Sequence, residues 1–180
     1  MNQKAVKRTY DRTSYVLIVD DDDTLLKFFK IHLNKFFSKV IVVPNAKAAI
    51  DTMREKEIDL VITDIRMPRM DGFQLLKKVR NFDAAIPVVL VSGALLTDEQ
   101  VAEAEEFADG FLRKPFSVDE LHSTIDTGIK RRENLKRLAE FLPDNKALLS
   151  VLKGKAKLDN LVGPDQRDEA HEIVQLLKAS

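Results

Sequence analysis

The chain has 180 residues, of which 44% are hydrophobic, and its 29 Lys and Arg balance 29 Asp and Glu. A formal net charge of zero removes any global electrostatic argument for a nucleic-acid partner or an anionic membrane. The absence of cysteine excludes disulfides and thiolate metal sites. The polar first residues lack a secretory signal and no apolar run reaches the ~20 residues of a membrane span, so we expect a cytoplasmic protein.

Strand-like and helix-like segments alternate after a short polar start. We expect residues 1–13 to form a flexible tail. The apolar runs predict strands at 15–19, 40–43, 58–64, 86–92 and 110–113. The amphipathic segments predict helices at 24–37, 46–56, 72–80, 98–108 and from 118 onward. This alternation is typical of α/β proteins, and we predict a doubly wound, flavodoxin-like parallel sheet of order 2-1-3-4-5 with right-handed crossovers.

Acidic residues follow two of these strands where ligands of open α/β sheets bind. Asp20 and Asp21 come directly after the first strand, and Asp64 ends the third. In the predicted order these strands are neighbours at the topological switch point. Two carboxylates ~4 Å apart repel by about 4 kcal/mol at an effective dielectric near 20, so such a cluster favours a bound cation. Oxygen ligands without nearby Cys or His indicate Mg²⁺.

The fourth and fifth strands end on residues that suit phosphoryl oxygens. Ser92 supplies a hydroxyl donor and Lys114 a positive charge. Together with a metal, these residues predict an aspartyl phosphorylation site. Asp64 would be the nucleophile, and Lys114 and Ser92 would stabilise the product.

Four segments in this order and spacing resemble the response-regulator receiver domain of two-component signalling. They are "VLIVDDDD", "DLVITDIRMPRMDG", "VVLVSG" and "GFLRKPF", and the resemblance covers about residues 15–131. It implies that Asp20 and Asp21 are the acidic pair that holds Mg²⁺ and that Asp64 is the phosphoacceptor. Ser92 matches the family's Ser/Thr position, and Lys114, followed by Pro115, matches its lysine.

The resemblance also implies a reaction and a switch. Asp64 would receive a phosphoryl group from a histidine kinase or phosphotransfer protein and lose it by slow autocatalytic hydrolysis, with no other enzymatic activity. The backbone carbonyl of Arg66 would ligate the metal. Phe111 matches the aromatic switch position and would move toward the site together with Ser92.

The run of four aspartates permits a second interpretation. In the receiver interpretation, Asp22 is a loop acid, and Asp23 or Thr24 caps the first helix. However, "DDDDT" also fits the DxDxT pattern of haloacid-dehalogenase-like phosphatases. There Asp20 would be the nucleophile and Asp22 the acid/base. That alternative leaves "DIRMPRMDG" unexplained.

The remaining third of the chain predicts a helical extension without a recognisable output module. We divide the chain into the tail, a receiver domain at 14–131 and an extension at 132–180. Apolar positions of the long helix form a coiled-coil-like seam with a weak middle, which predicts a homodimer through residues 118–142. The small helices after Pro143 need a surface to pack on: the receiver, a second chain or a downstream protein partner. A DNA-binding module in this extension is a further alternative.

Overall fold

The computed structural model describes residues 15–178, so the predicted tail at 1–13 lies outside the described residues. A five-stranded sheet of order β2-β1-β3-β4-β5 forms its centre, and every strand pair is parallel. The strands are β1 (Tyr15–Val19), β2 (Lys39–Val43), β3 (Leu60–Asp64), β4 (Val88–Ser92) and β5 (Gly110–Arg113). The predicted fold class and strand order are therefore confirmed.

Seven α-helices accompany the sheet within residues 15–178. They are α1 (Asp23–Leu33), α2 (Ala46–Glu55), α3 (Gly72–Phe82), α4 (Asp98–Phe107), α5 (Val118–Glu140), α6 (Asn145–Leu152) and α7 (Arg167–Lys178). Two short 3₁₀ turns, Leu158–Asn160 and Pro164–Gln166, lie between α6 and α7. Side-chain caps explain where most of these helices begin, because a polar side chain satisfies an otherwise unpaired N–H of the first turn. The capping residues of α2 to α6 are Asn45, Asp71, Thr97, Ser117 and Asp144.

Both faces of the sheet are buried, which explains the uninterrupted apolar strands. Side chains alternate along a strand, so Leu17 and Val19 of β1 pack with residues of α2 and α3. Val16 and Ile18 point the other way and pack with residues of α1 and α5. A parallel sheet covered on two faces needs apolar residues at consecutive positions, as the sequence has.

The first helix differs from the prediction at both ends. Its N-cap is Asp22, whose side chain accepts from the backbone N–H groups of Thr24 and Leu25, so the expected caps Asp23 and Thr24 were wrong. These two hydrogen bonds lower the pKa of Asp22. The helix ends at Leu33 rather than at residue 37. Phe37 is nevertheless buried in the same core as Phe29, so the apolar spacing continues past the end of the helix.

The extension packs on the receiver part of the same chain. Leu135 and Leu138 of α5 share a third apolar core with Ala84 and Ala85, which lie between α3 and β4. The other buried members of this core are Leu142, Leu148, Leu158, Val162, Ala170, Ile173 and Leu177. Helix α5 runs without interruption across the predicted boundary at 131/132. The sequence left open whether the extension packs on the receiver, on a second chain or on a partner. Within a single chain, it packs on the receiver.

The predicted coiled-coil seam is largely occupied inside the chain. Leu121 and Ile125 are buried against the sheet, and Leu135 is buried in the third core. Gly128 and Arg132, in the weak middle, are buried as well. A homodimer through the 118–142 helix stays a prediction, but it would have to use other positions of that helix. Within the described part of the chain, no helix combines the length and the apolarity needed to cross a bilayer.

Candidate functional site

The carboxyl ends of β1, β3 and β5 bring three charged side chains into contact. Asp20 and Asp64 are almost fully buried, at 2% and 6% exposure. The ammonium group of Lys114 lies 3.0 Å from Asp20 Oδ2 and 2.5 Å from Asp64 Oδ1. Lys114 directly follows β5, and β4 lies between β5 and β3 in the sheet. The Lys114 side chain therefore extends past the end of β4 to reach both acids. One lysine therefore neutralises part of the charge of two buried carboxylates.

Backbone N–H groups hold the second oxygen of each acid. Asp20 Oδ1 accepts from the N–H of Asp22 at 2.8 Å, and Asp64 Oδ2 accepts from the N–H of Arg66 at 2.5 Å. Both are bonds from the residue two positions ahead, the local turn that aspartate forms readily. The sequence analysis did not predict these two donors. An aspartate at the end of a strand could have indicated them, because its side chain often accepts from the N–H two residues ahead. The carboxylates are thus fixed in orientation by their own loops.

Burial and the shared lysine act in opposite directions on the protonation of this site. Burial raises the pKa of Asp20, while the hydrogen bonds from Asp22 and Lys114 lower it, and the net shift is upward. Burial lowers the pKa of Lys114, but its hydrogen bonds to Asp64 and Asp20 outweigh that effect and raise the pKa above the usual value. Lys114 is therefore a firmly charged ammonium group at neutral pH.

A glycine lets the loop after β3 fold back under Asp64. A Cβ on Gly72 would lie 2.4 Å from the backbone oxygen of Asp64 and 2.9 Å from the Cα of Ile65. The N–H of Gly72 donates to the carbonyl of Ile65 at 2.9 Å, and α3 begins at the same residue. Only glycine allows the helix start to approach the end of the strand so closely. The "MDG" end of the motif thereby positions the acid-bearing loop.

Two predicted residues lie at the same edge of the sheet in different settings. Ser92 ends β4 and is buried, and its hydroxyl bonds to the backbone of Ala94, accepting from the N–H and donating to the carbonyl at 3.2 Å each. Phe111, in β5, is 39% exposed. Ser92 is thus held by its own loop in this structure, and Phe111 faces outward. Their predicted joint movement stays a prediction.

The predicted metal ligands are only partly assembled. Asp20 and Asp64 share Lys114, whereas Asp21 is exposed. Among residues 15–178, no group of three or more His, Cys, Asp or Glu side chains is arranged to hold a metal ion. The donor set still suits a hard cation, because it consists of carboxylate oxygens and a backbone carbonyl. Asp20 and Asp64 are buried and oriented by backbone N–H groups, so their metal-binding role stays a prediction.

Comparisons with known proteins place this chain among receiver domains. A model of the response regulator receiver domain matches residues 16–126. The transcription factor SKN7 of Saccharomyces cerevisiae is 32% identical over 118 residues, covering 66% of this chain and 19% of that protein. The cyclic-nucleotide phosphodiesterase regA of Dictyostelium discoideum is 30% identical over 168 residues, covering 91% of this chain and 20% of that protein. This chain thus spans about a fifth of the length of each relative.

A solved structure shows the same architecture. The response regulator receiver domain protein from Clostridium thermocellum superposes with a TM-score of 0.61 at 27% identity. The superposition covers 68% of this chain and 98% of that one. The shared part therefore corresponds to a complete receiver fold, and the region of this chain outside it is of about the size of the extension.

Proposed function

This chain belongs to the response-regulator receiver family, and we propose that phosphorylation of Asp64 switches it. The main observation in support is the pair of buried carboxylates, Asp20 and Asp64, that share the ammonium group of Lys114. Buried acids held by oriented donors at the end of a parallel sheet are a reactive arrangement, not a stabilising surface feature. The donor would be a phosphohistidine of a histidine kinase or phosphotransfer protein.

In the proposed transfer, one oxygen of Asp64 attacks the phosphorus atom. The bond between phosphorus and the histidine nitrogen breaks, and the imidazole leaves with its electron pair. Lys114 then donates to a phosphoryl oxygen, while the N–H of Arg66 keeps the carboxylate oriented. Ser92 would turn from its bonds with Ala94 toward the phosphoryl group, and Phe111 would move inward with it.

Receiver domains generally bind Mg²⁺ at their acidic pocket. In this chain we propose that Asp20, Asp21 and Asp64, with the backbone carbonyl of Arg66, hold the ion. The ion would supply positive charge beside the transferred phosphoryl group. Lys114 contacts both buried acids in this structure, and the exposed Asp21 would be the third acid of the set.

The output we propose is a protein–protein interaction or a change in oligomeric state. The described part of the extension is helical and packs on the receiver, so a change in the receiver surface could reach it directly. A cytoplasmic location suits a partner of a histidine kinase. Two alternatives, a haloacid-dehalogenase-like phosphatase acting through Asp20 and a DNA-binding module in the extension, gain no support from the fold or the matches.

Phosphopeptide mapping tests the proposed phosphoacceptor. The chain would be incubated with Mg²⁺ and acetyl phosphate, and we expect one phosphoryl group, located on the peptide that contains Asp64. Asp64→Asn should abolish labelling, and chelation of Mg²⁺ should suppress it. Asp51→Asn, which changes a half-buried acid of α2 away from Asp64, is the matched control and should label normally. Label on Asp20 with Asp64 spared would overturn the proposal in favour of the phosphatase alternative.

Light-scattering mass on a sizing column tests the output. The wild-type chain would be measured in Mg²⁺ with and without beryllofluoride, which mimics a phosphoryl group on aspartate. A mass change that Asp64→Asn abolishes would support oligomerisation as the output. A constant monomeric mass would refute it and leave a heterologous partner.

A further inference from the structure

A cavity lies between the receiver and the extension, at the opposite end of the sheet from Asp64. Its volume is about 440 Å³, within the usual range for small-molecule sites. Its apolar wall consists of Leu76 of α3, Phe107 of α4, and Leu149 and Leu152 of α6. We call it the α3–α6 cavity. Because α6 belongs to the extension, the cavity exists only while the extension is docked.

The polar wall of the α3–α6 cavity is cationic. Its charged lining residues are Lys77, Arg80, Arg131 and Lys153, and none of the described side chains that line it is acidic. The nearby carboxylate of Asp109 lies behind the wall, 1% exposed, where both arginines form salt bridges with it. Among the described side chains, and with Lys77 left aside, the three cations Arg80, Arg131 and Lys153 face one carboxylate, that of Asp109. An anion in the cavity would offset this excess.

The two arginines are held in place by other bonds. Arg80 donates to the carbonyls of Ile86 and Phe107, the latter at 2.9 Å from its Nη2. Arg131 Nη1 donates to the carbonyl of Leu177 at the end of α7, also at 2.9 Å. Guanidinium groups that are fixed before a ligand arrives lose little side-chain freedom when they bind it. The cationic wall is therefore preorganised.

The charged and apolar walls meet at Lys153, the residue that directly follows α6. The ammonium group of Lys153 lies 5.6 Å from the centroid of the Phe107 ring, so it stands over the apolar wall. A ligand with a ring system and an acidic group could contact Phe107 and Lys153 together. A simple inorganic anion would leave the apolar wall uncovered, and a neutral ring compound would leave the positive charge unmatched.

We propose that the α3–α6 cavity binds a small organic anion with an aromatic or otherwise apolar body. The acidic group lies against Arg131 and Lys153, and the apolar body lies against Leu76, Phe107 and Leu149. Such a ligand contacts the receiver and α6 at once, so it stabilises the docked extension. This site is independent of phosphorylation at Asp64.

Anilinonaphthalene sulfonate is a suitable probe, because it combines two ring systems with one sulfonate. Fluorescence titration of the full chain is expected to show saturable binding of one molecule per chain. Lys153→Glu should weaken this binding tenfold or more, because it places a negative charge beside the sulfonate. The matched control is Lys155→Glu, an equal charge change at an exposed residue outside the cavity lining, which should bind within twofold of wild type.

Two further measurements keep the result specific. N-phenylnaphthylamine has the same rings without the sulfonate, and it should bind at least tenfold more weakly. Asp64→Asn should bind the sulfonate as wild type does, which separates this site from the phosphorylation site. Equal effects of Lys153→Glu and Lys155→Glu, or equal affinity for the two ring compounds, would overturn the proposal. Circular dichroism of each variant would show that folding is retained.

Discussion

At the scale of single residues, Asp20 carries a charge that is costly to bury. Its pKa in the folded protein is raised, chiefly because burial disfavours the carboxylate. The folded state then binds the proton more tightly than the unfolded chain does. The stability that comes from this protonation is fully present below the unfolded pKa and is lost as pH rises through the folded pKa. At neutral pH the buried carboxylate therefore carries a cost that a neutral side chain avoids.

We predict that Asp20→Asn raises the free energy of unfolding at neutral pH, because it removes a buried charge. The gain should shrink as pH falls, because wild-type Asp20 then takes up its proton. Urea titrations at a series of pH values measure both effects. Asp51→Asn, at a half-buried position with surface ion pairs to Lys47 and Arg54, should change the free energy of unfolding by no more than about 0.5 kcal/mol. A destabilised Asp20→Asn, or a gain that is constant with pH, would contradict the argument.

Gly72 gives a second prediction at the scale of one residue. In Gly72→Ala the new methyl would lie 2.4 Å from the backbone oxygen of Asp64, so backbone has to shift rather than a side chain. We expect a loss of about 3 kcal/mol in stability and slower phosphorylation of Asp64. Urea unfolding and acetyl phosphate labelling measure the two effects.

Gly93→Ala is the control for that substitution. Its added Cβ would meet Lys114 side-chain carbons at 3.7 Å, an ordinary contact. Its stability should stay within about 0.5 kcal/mol of wild type. If the two variants lost equal stability, the close approach of Gly72 to β3 would not be the cause.

At the scale of elements, two arginines of α5 tie α7 to the rest of the chain by different bonds. Arg131 bonds buried Asp109 and the carbonyl of Leu177, whereas Arg137 forms an exposed salt bridge with Glu169 at 3.1 Å. Exposed ion pairs contribute about 0–1 kcal/mol to the free energy of unfolding, whereas removing the partner of a buried charge lowers it by more. The bond to Leu177 should therefore matter most for the end of α7.

We predict that Arg131→Ala raises amide hydrogen exchange in α7 by about tenfold, since losing one such contact costs about 1.4 kcal/mol or more. Arg137→Ala should leave exchange in α7 nearly unchanged. Mass-spectrometric exchange on peptides from α7 and from β1 separates a local effect from global destabilisation. Equal exchange in the two variants would show that α7 is held by its apolar face alone.

The elements also show which features a sequence can predict. Strand positions followed from apolar runs, since both faces of a parallel sheet must be apolar, and the predicted strand order followed from the alternation of strands and helices. The end of α1 did not, because Phe37 packs in the core from outside the helix. The meeting of Asp20, Asp64 and Lys114 followed from strand ends, whereas the N–H groups of Asp22 and Arg66 depend on loop geometry.

The packing of the extension could not be predicted for a different reason. An apolar pattern shows that a face will be buried, but it does not specify the surface that buries it. Leu135 fits a coiled-coil seam in sequence, with Leu138 beside it, yet both lie in one core with Ala84, Ala85 and residues of the extension helices. The small side chains of Ala84 and Ala85 allow this approach. Because the two alanines lie in a loop, no periodic pattern in the sequence predicts that they are buried.

At the scale of the whole molecule, the extension and the receiver both contribute residues to the third apolar core. Asn145, the first residue of α6, accepts from the N–H of Ala84 at 2.7 Å and donates to the carbonyls of Arg80 and Asn81 at 3.3 Å. The third core then continues from Ala84 and Ala85 through α5 to α7. Because polar and apolar contacts both cross the boundary, the described extension should unfold together with the receiver.

We therefore predict that removing residues 141–180 destabilises the receiver itself. The truncation would expose Leu135 and Leu138, and burying one such side chain is worth about 1.5–3 kcal/mol. The full chain should show a single thermal transition in calorimetry, and the truncated chain should unfold several degrees lower and aggregate more readily. Asn145→Ala in the full chain isolates the polar contact and should cost about 1 kcal/mol. Two separate transitions in the full chain, or an unchanged midpoint after truncation, would show that the extension is an independent unit that only rests on the receiver.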